Sequence, residues 1–172
     1  SRRVFTAKPW IQLSVEKVLL PDGRVVDDFY QMQFIECVVI FAQTTDGKVV
    51  MERQYKHGIR KVTLTLPTGG VDEGEEPLLA AQRELKEETG YVSKDWQSLG
   101  CFPQLGNMGG GKINLFRALG VEQVAEPKSG DLEEMEIVLR NPPELIKAIR
   151  TGEISVLTTV TTVLLATHPS LR

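Results

Sequence analysis

Residues 69–91 constrain this chain more than any other stretch. A loop holding three glycines in six residues, Gly69-Gly70-Val71-Asp72-Glu73-Gly74, leads into Arg83-Glu84-Leu85-Lys86-Glu87-Glu88-Thr89-Gly90-Tyr91. Pro77 suits the first turn of a helix, where its missing N–H goes unused, and Gly90 suits the residue that ends one, so the spacing predicts a helix between Glu76 and Gly90. Glu84, Glu87 and Glu88 stand at i, i+3 and i+4, which places three carboxylates on one helix face within a single turn. Carboxylates that close raise one another's pKa and destabilise the helix, so the cluster points to a neutralising cation, and hard oxygen ligands suit magnesium. Arg83 precedes Glu87 by four residues and is placed to pair with an acidic neighbour, while Glu75 at the helix start favours the positive end of the macrodipole. An acidic run alone is usually a solvated helix face; the glycine, glutamate and arginine spacing around this one sets it apart.

The 172 residues fit one domain with a sizeable core. Twenty basic against twenty-three acidic residues give a net charge of -3, which does not indicate the basic surface that drives nucleic-acid binding. An anionic substrate is therefore met locally or through metal. Cys37 and Cys101 lie in apolar surroundings without ligand-type spacing, so buried reduced thiols and a cytoplasmic location are expected. The longest apolar run, Cys37 to Ala42, falls far short of the roughly 20 residues of a membrane span, and Ser1-Arg2-Arg3 is not followed by a signal-peptide core.

Ile11, Leu13 and Val15 alternate with polar residues as in a half-buried strand, Pro21-Asp22-Gly23 turns the chain, and Val25 to Gln33 returns, so residues 1–33 are expected to form a β-hairpin extension. Phe34 to Ala42 and Lys48 to Glu52 are strands about the Asp46-Gly47 turn, and Val62 to Leu66 is another. Trp96 to Phe102 and Lys112 to Leu119 read as strands separated by a long loop over residues 103–111. Met135 to Arg140 reads as a last strand, Pro142 to Arg150 as a short helix, and Val156, Leu157, Val160, Val163 and Leu164 fall at helical spacing despite the surrounding threonines. Strands on both sides of one loop-helix, with helices at the end, predict an α/β (α+β) fold in which a mixed β-sheet is sandwiched between helices. No linker divides residues 34–172.

Gly69, five residues, Glu75, seven residues and then Arg83-Glu84-Leu85-x-Glu87-Glu88-x-Gly90-Tyr91 resembles the Nudix box. Seven identities at fixed spacing arise by chance in well under about one chain in ten thousand. Tyr91 alone departs, where an aliphatic residue is commoner. The resemblance implies the α/β/α Nudix fold and divalent-metal-dependent cleavage of a diphosphate. It also implies metal ligands at Glu84, Glu87, Glu88 and the Thr68 carbonyl, with Glu84, Glu87 and Arg83 in the catalytic set. In subfamilies acting on nucleoside diphosphate sugars a glutamate from a later loop serves as base; the segment before Glu136-Ile137-Val138 makes Glu133 the first choice and Glu134 the second. An acidic surface loop also needs no catalytic explanation.

The hairpin, Leu20-Pro21-Asp22-Gly23-Arg24, Arg53-Gln54-Tyr55-Lys56 and Leu66-Pro67-Thr68-Gly69 are similar to the ADP-ribose and ADP-sugar pyrophosphatase branch, over approximately residues 8 to 150. That likeness implies a homodimer whose N-terminal strands pack across a two-fold axis, with Mg2+, or alternatively Mn2+, as cofactor. It also implies substrate phosphate contacts at Arg53 and Lys56, base stacking on Trp10, and a loop with Gly106 and Asn107 near the sugar. Trp10 reads more readily as a packed anchor, and the two cations also fit solvated strand ends. This chain departs from many relatives at Gln104-Leu105-Gly106, where Ser-Pro-Gly is frequent, at Thr65, where an acid is, and at Lys56, where arginine is. GDP-mannose and other nucleoside diphosphate sugars therefore stay open beside ADP-ribose. Hydrolysis of pool nucleotides or RNA ends fits less well, as does a non-catalytic sensor. No membrane or nucleic-acid partner is expected.

Overall fold

The computed structural model describes residues 2–128, 135–168 and 170. Eleven strands lie among them: β1 (Arg2–Ala7), β2 (Ile11–Leu19), β3 (Val25–Phe34), β4 (Cys37–Thr44), β5 (Val49–Lys56), β6 (Lys61–Thr65), β7 (Thr68–Gly70), β8 (Tyr91–Val92), β9 (Asp95–Leu105), β10 (Gly109–Gln123) and β11 (Met135–Arg140). The helices are α1 (Pro77–Thr89), α2 (Pro142–Thr151) and α3 (Leu157–Thr167). The chain forms two compact units, Ser1–Cys37 with Cys101–Ile113, and Val38–Gly100 with Asn114–Arg172. Parallel pairing of β10 with β3, and antiparallel ladders about β2 and β5, make the mixed sheet with helices that the sequence predicts.

In the first unit Ile11 lies opposite Phe34, Leu13 opposite Met32 and Val15 opposite Tyr30, so the period-two alternation puts Gln12, Ser14 and Glu16 on the other face. The expected hairpin is a three-stranded meander, because Arg2–Ala7 also pairs, with Phe5 opposite Leu13 and Ala7 opposite Ile11. The expected loop over 103–111 contracts to a turn, since β9 runs on to Leu105 and β10 starts at Gly109. The glycines there serve close approach: Gly109 lies beside Met32, and a Cβ on it would come within 2.9 Å of the Met32 carbonyl oxygen. The thiols correct another expectation, Cys37 being half-buried and Cys101 exposed. Cys101 opens a run at the end of β9, residues 101–105, that is exposed throughout, so its apolar sequence neighbours do not cover it.

In the second unit β10, β4, β5 and β11 lie side by side, with β6 against β5, β7 against β4, and β8 and β9 against β10. Val38 to Ala42 is fully buried, as a continuous apolar run requires of a central strand. α1 buries Ala80, Ala81 and Leu85 against Val38, Ile40, Val50, Phe116 and Ala118, two alanines letting the helix approach the sheet closely. α2 opens with Pro142 in its first turn and a capping box, the Asn141 amide donating to Glu144 Oε2 at 2.7 Å. α3 accommodates its threonines by turning hydroxyls back on its own carbonyls, Thr162 to Thr158 and Thr167 to Val163, each at 2.7 Å. Among the described residues no helix is long and apolar enough to cross a membrane.

Candidate active site

The glycine loop is hung from the sheet before it reaches the helix. The Ile40 amide donates to the Pro67 carbonyl at 3.0 Å, and the Thr68 amide donates to Glu88 Oε2 at 2.9 Å, tying β7 to both β4 and α1. Gly69 is glycine for want of room: a Cβ on it would fall on the carboxyl group of Glu84. α1 then runs from Pro77 and stops at Gly90, whose φ of 75° is the left-handed conformation that ends helices.

Arg83 is the hub of this region. Its Nε and Nη2 donate to the two oxygens of Glu75 at 3.1 and 2.9 Å, the planar fork matching the carboxylate, and Nη2 also donates to the Gly70 carbonyl at 2.9 Å. Its Nη1 is shared between Glu84 at 2.7 Å and Glu87 at 3.4 Å. The guanidinium is held more firmly charged than usual, foremost by its bond to Glu75. Reciprocally, Arg83 and then the Asp72 amide hold the Glu75 carboxyl below the usual carboxylate range.

The three predicted carboxylates share one turn of α1 but face different surroundings. Glu87 is exposed, Glu84 is mostly covered and Glu88 is buried. Burial pushes the Glu84 carboxyl up; Arg83 pulls it down, while the charges of Glu87 and Glu75 add to the rise. Burial foremost, and then Glu52, push Glu88 well above the carboxylate range against the pull of the Thr68 amide. Among the described residues no three His, Cys, Asp or Glu side chains converge as a ready-made ion cage. Arg83 draws Glu84 and Glu87 to one side while Glu88 turns to the Thr68 amide and Glu52. As a donor set, hard oxygens whose mutual repulsion raises their proton affinity fit a hard divalent cation.

Glu52 is the residue that sequence reasoning missed. It closes the buried segment Val49–Glu52 of β5, is 2% exposed, and lies within hydrogen-bonding reach of Glu88. Its partner across the β5–β6 ladder is Thr65. The available signal was a glutamate following three apolar residues near the end of a strand, which reads as the outward phase of a half-buried element.

The other predicted residues are distributed between the units. Arg53, on β5, pairs with Glu136 at 3.3 Å and Glu153 at 3.4 Å, and Lys56 ends the same strand. Trp10 stands exposed between β1 and β2, and Gly106 and Asn107 are exposed in the turn between β9 and β10, all in the first unit. That unit also carries an open cleft of about 390 Å³ lined by the amides of Gln12, Gln31 and Gln33 together with Ser14 and Glu16. Glu133 and Glu134 lie outside the described residues.

Comparison with known proteins agrees with this arrangement. The NUDIX domain family matches residues 34–155. An ADP-ribose pyrophosphatase of Bacillus subtilis (strain 168) is 28% identical over 153 residues, 85% of this chain and 80% of that protein. A methanol dehydrogenase activator of Bacillus methanolicus is 30% identical over 138 residues, covering 80% and 72%. An ADP-ribose pyrophosphatase of Mycobacterium tuberculosis is 30% identical over 142 residues, covering 81% and 68%. In three dimensions the chain matches the crystal structure of an ADP compounds hydrolase with a TM-score of 0.77 at 18% identity, covering 96% of this chain and 92% of that one. With its box residues gathered about Arg83 and its domain matched over residues 34–155, this chain belongs to the Nudix hydrolase family.

Proposed function

We propose that this chain hydrolyses the diphosphate bridge of a nucleoside diphosphate sugar of the ADP-ribose type. Water adds to one phosphorus, giving a nucleoside monophosphate and a sugar phosphate. The observation that carries this reading is one turn of α1 presenting Glu84, Glu87 and Glu88, braced by the fork of Arg83 on Glu75 and Gly70. Likeness to two ADP-ribose pyrophosphatases over four-fifths or more of the chain supports the substrate class.

Glu84, Glu87 and Glu88, with the carbonyl of Thr68, would hold Mg2+ or Mn2+. When bound there, such an ion would supply charge neutralisation at the phosphates and a more acidic water. Arg83 steadies Glu84, and Glu87 more weakly, through Nη1. Glu133, or failing it Glu134, takes the proton of the attacking water. Arg53 and Lys56 meet substrate phosphate; for Arg53 such a contact competes with Glu136 and Glu153. Trp10 stacks on the base, and Gly106 and Asn107 border the sugar. The chain works as a cytoplasmic homodimer built on residues 1–33, a reading supported by the exposure there of Phe5 (54%), Trp10 (67%) and Leu19 (73%), more apolar surface than a small β-meander usually leaves to water.

The test is product analysis by chromatography after incubation with ADP-ribose, ADP-glucose, GDP-mannose and triphosphate-ended RNA in the presence of Mg2+. Monophosphate release fastest from an ADP-sugar is expected, with Glu87→Gln abolishing it while the fold persists. Failure to release a monophosphate from any of the sugars overturns the proposal, and preference for GDP-mannose redirects it to that substrate.

A further inference from the structure

Resting on the reading of the box as a cation site, we propose that Glu52 is a further acidic ligand of that site, reaching it from the sheet together with the Thr65 hydroxyl. The other members of the segment, Val49, Val50 and Met51, are fully buried and apolar. A carboxylate in such company carries a heavy desolvation penalty that valine would avoid while suiting the strand better, so Glu52 calls for a chemical reason to be there.

Its surroundings supply one. Glu52 lies within hydrogen-bonding reach of Glu88, itself near Glu84. Thr65 is directly opposite Glu52 in the antiparallel register, so the two side chains stand on the same face of the sheet as close neighbours. Thr65 is 4% exposed, and its hydroxyl oxygen is buried without a hydrogen-bond partner among the described residues, an uncommon state for an interior hydroxyl. Hard oxygen donors from three elements thus adjoin in turn: the Glu88 carboxylate of α1 beside the Glu52 carboxylate of β5, and Glu52 opposite the Thr65 hydroxyl of β6. No nitrogen or sulfur ligand is among them, and an oxygen-only set selects Mg2+ or Mn2+ over softer ions. A divalent ion would offset the repulsion of the two carboxylates and engage the hydroxyl oxygen.

The experiment titrates Mn2+ into the metal-free full chain and follows free ion by electron paramagnetic resonance. Wild type is compared with Glu52→Gln, which keeps shape and hydrogen bonding but removes charge, and with the transposed double variant Glu52→Thr/Thr65→Glu. Glu52→Gln is expected to weaken Mn2+ binding at least about ten-fold, the scale of losing a group that supports a metal site. The transposed variant is expected to recover binding to within about three-fold of wild type, because positions facing each other across a ladder present side chains to the same place. Wild-type affinity retained in Glu52→Gln overturns this inference alone, whereas a wild type that binds no Mn2+ overturns the reading of the box. If Glu52→Gln does not fold, the transposed variant decides: tight binding supports the proposal and lost binding refutes it.

Discussion

Replacing Gly69 with alanine separates the fold of the loop from the orientation of Glu84. The new methyl would occupy the place of the Glu84 carboxyl, overlapping its Cγ, Cδ and Oε1. That obstacle is the end of a flexible side chain, and Gly69 is not among the glycines held at positive φ, so the backbone accepts alanine and Glu84 swings aside. The lost contact is the 2.7 Å bond from Arg83 Nη1. As a bond between charged groups it is worth about 1.5–3 kcal/mol. Glu84 regains water on leaving its mostly covered position, and that gain offsets much of the loss in the folded state. Thermal melting should therefore fall by only about 2–4 °C, the effect of roughly 1 kcal/mol in a chain of this size. The reaction has no such offset if it uses Glu84 where it now stands. Losing about 1.5–3 kcal/mol of transition-state stabilisation corresponds to a roughly 10- to 150-fold drop in kcat. Paired measurements of circular-dichroism melting and ADP-ribose turnover decide the matter. A rate within about two-fold of wild type, a difference of under half a kcal/mol, would show that the position of Glu84 is immaterial and refute the reasoning.

Three further outcomes are expected. Glu75 has a folded-state pKa held below its ordinary 4.5, so its stabilising share is whole above that value and is lost as pH falls through the lowered one. Glu75→Gln should accordingly have a lower urea midpoint than wild type at pH 7, with the gap closing in acid below about pH 4; a gap that widens in acid contradicts the assignment. Asn141→Ala removes half of the capping box of α2 and should cost about 1 kcal/mol in denaturant unfolding, with turnover unchanged. Chelation by EDTA should abolish hydrolysis and added Mg2+ or Mn2+ should restore it; full activity after exhaustive chelation would be incompatible with the cation role given to Glu84, Glu87 and Glu88.

What could be read in advance divides along the reach of the interactions concerned. The helix over Pro77–Thr89 was legible because its signals are local: a proline in the first turn and a glycine at the end. α3 was legible for the same reason, periodicity outweighing threonine propensity once the hydroxyls bond back within the helix. Features decided by distant partners were not. Gly109 to Gly111 read as a loop, yet they begin β10, where Gly109 lies against the backbone of β3, some 77 residues earlier. Arg2–Ala7 is too short to announce a strand alone and pairs because β2 offers it an edge. Glu52 was unreadable because its burial depends on β6 and α1, neither of which is its sequence neighbour. The clamp on Glu75 was half legible: helical spacing pointed Arg83 toward Glu87, yet the bidentate fork reaches eight residues back.

The fork explains why the three acids of the box can be free for chemistry while the loop stays in place. Two of the Arg83 nitrogens, Nε and Nη2, are committed to Glu75 and Gly70, and those contacts alone join loop to helix through the guanidinium. Glu84 and Glu87 share only Nη1, the second of them at 3.4 Å, so either can leave without loosening the fork. Glu88 depends on Arg83 for nothing, being held from the opposite side by the Thr68 amide and Glu52. A lysine at position 83 would lack the planar spread needed to satisfy a carboxylate and a carbonyl on one element while neutralising acids on another. The spacing that makes the box recognisable thus records a division of labour: Glu75 and Arg83 fix the frame, the glycine at 69 clears space for a carboxylate, and the acids at 84, 87 and 88 remain adjustable within it.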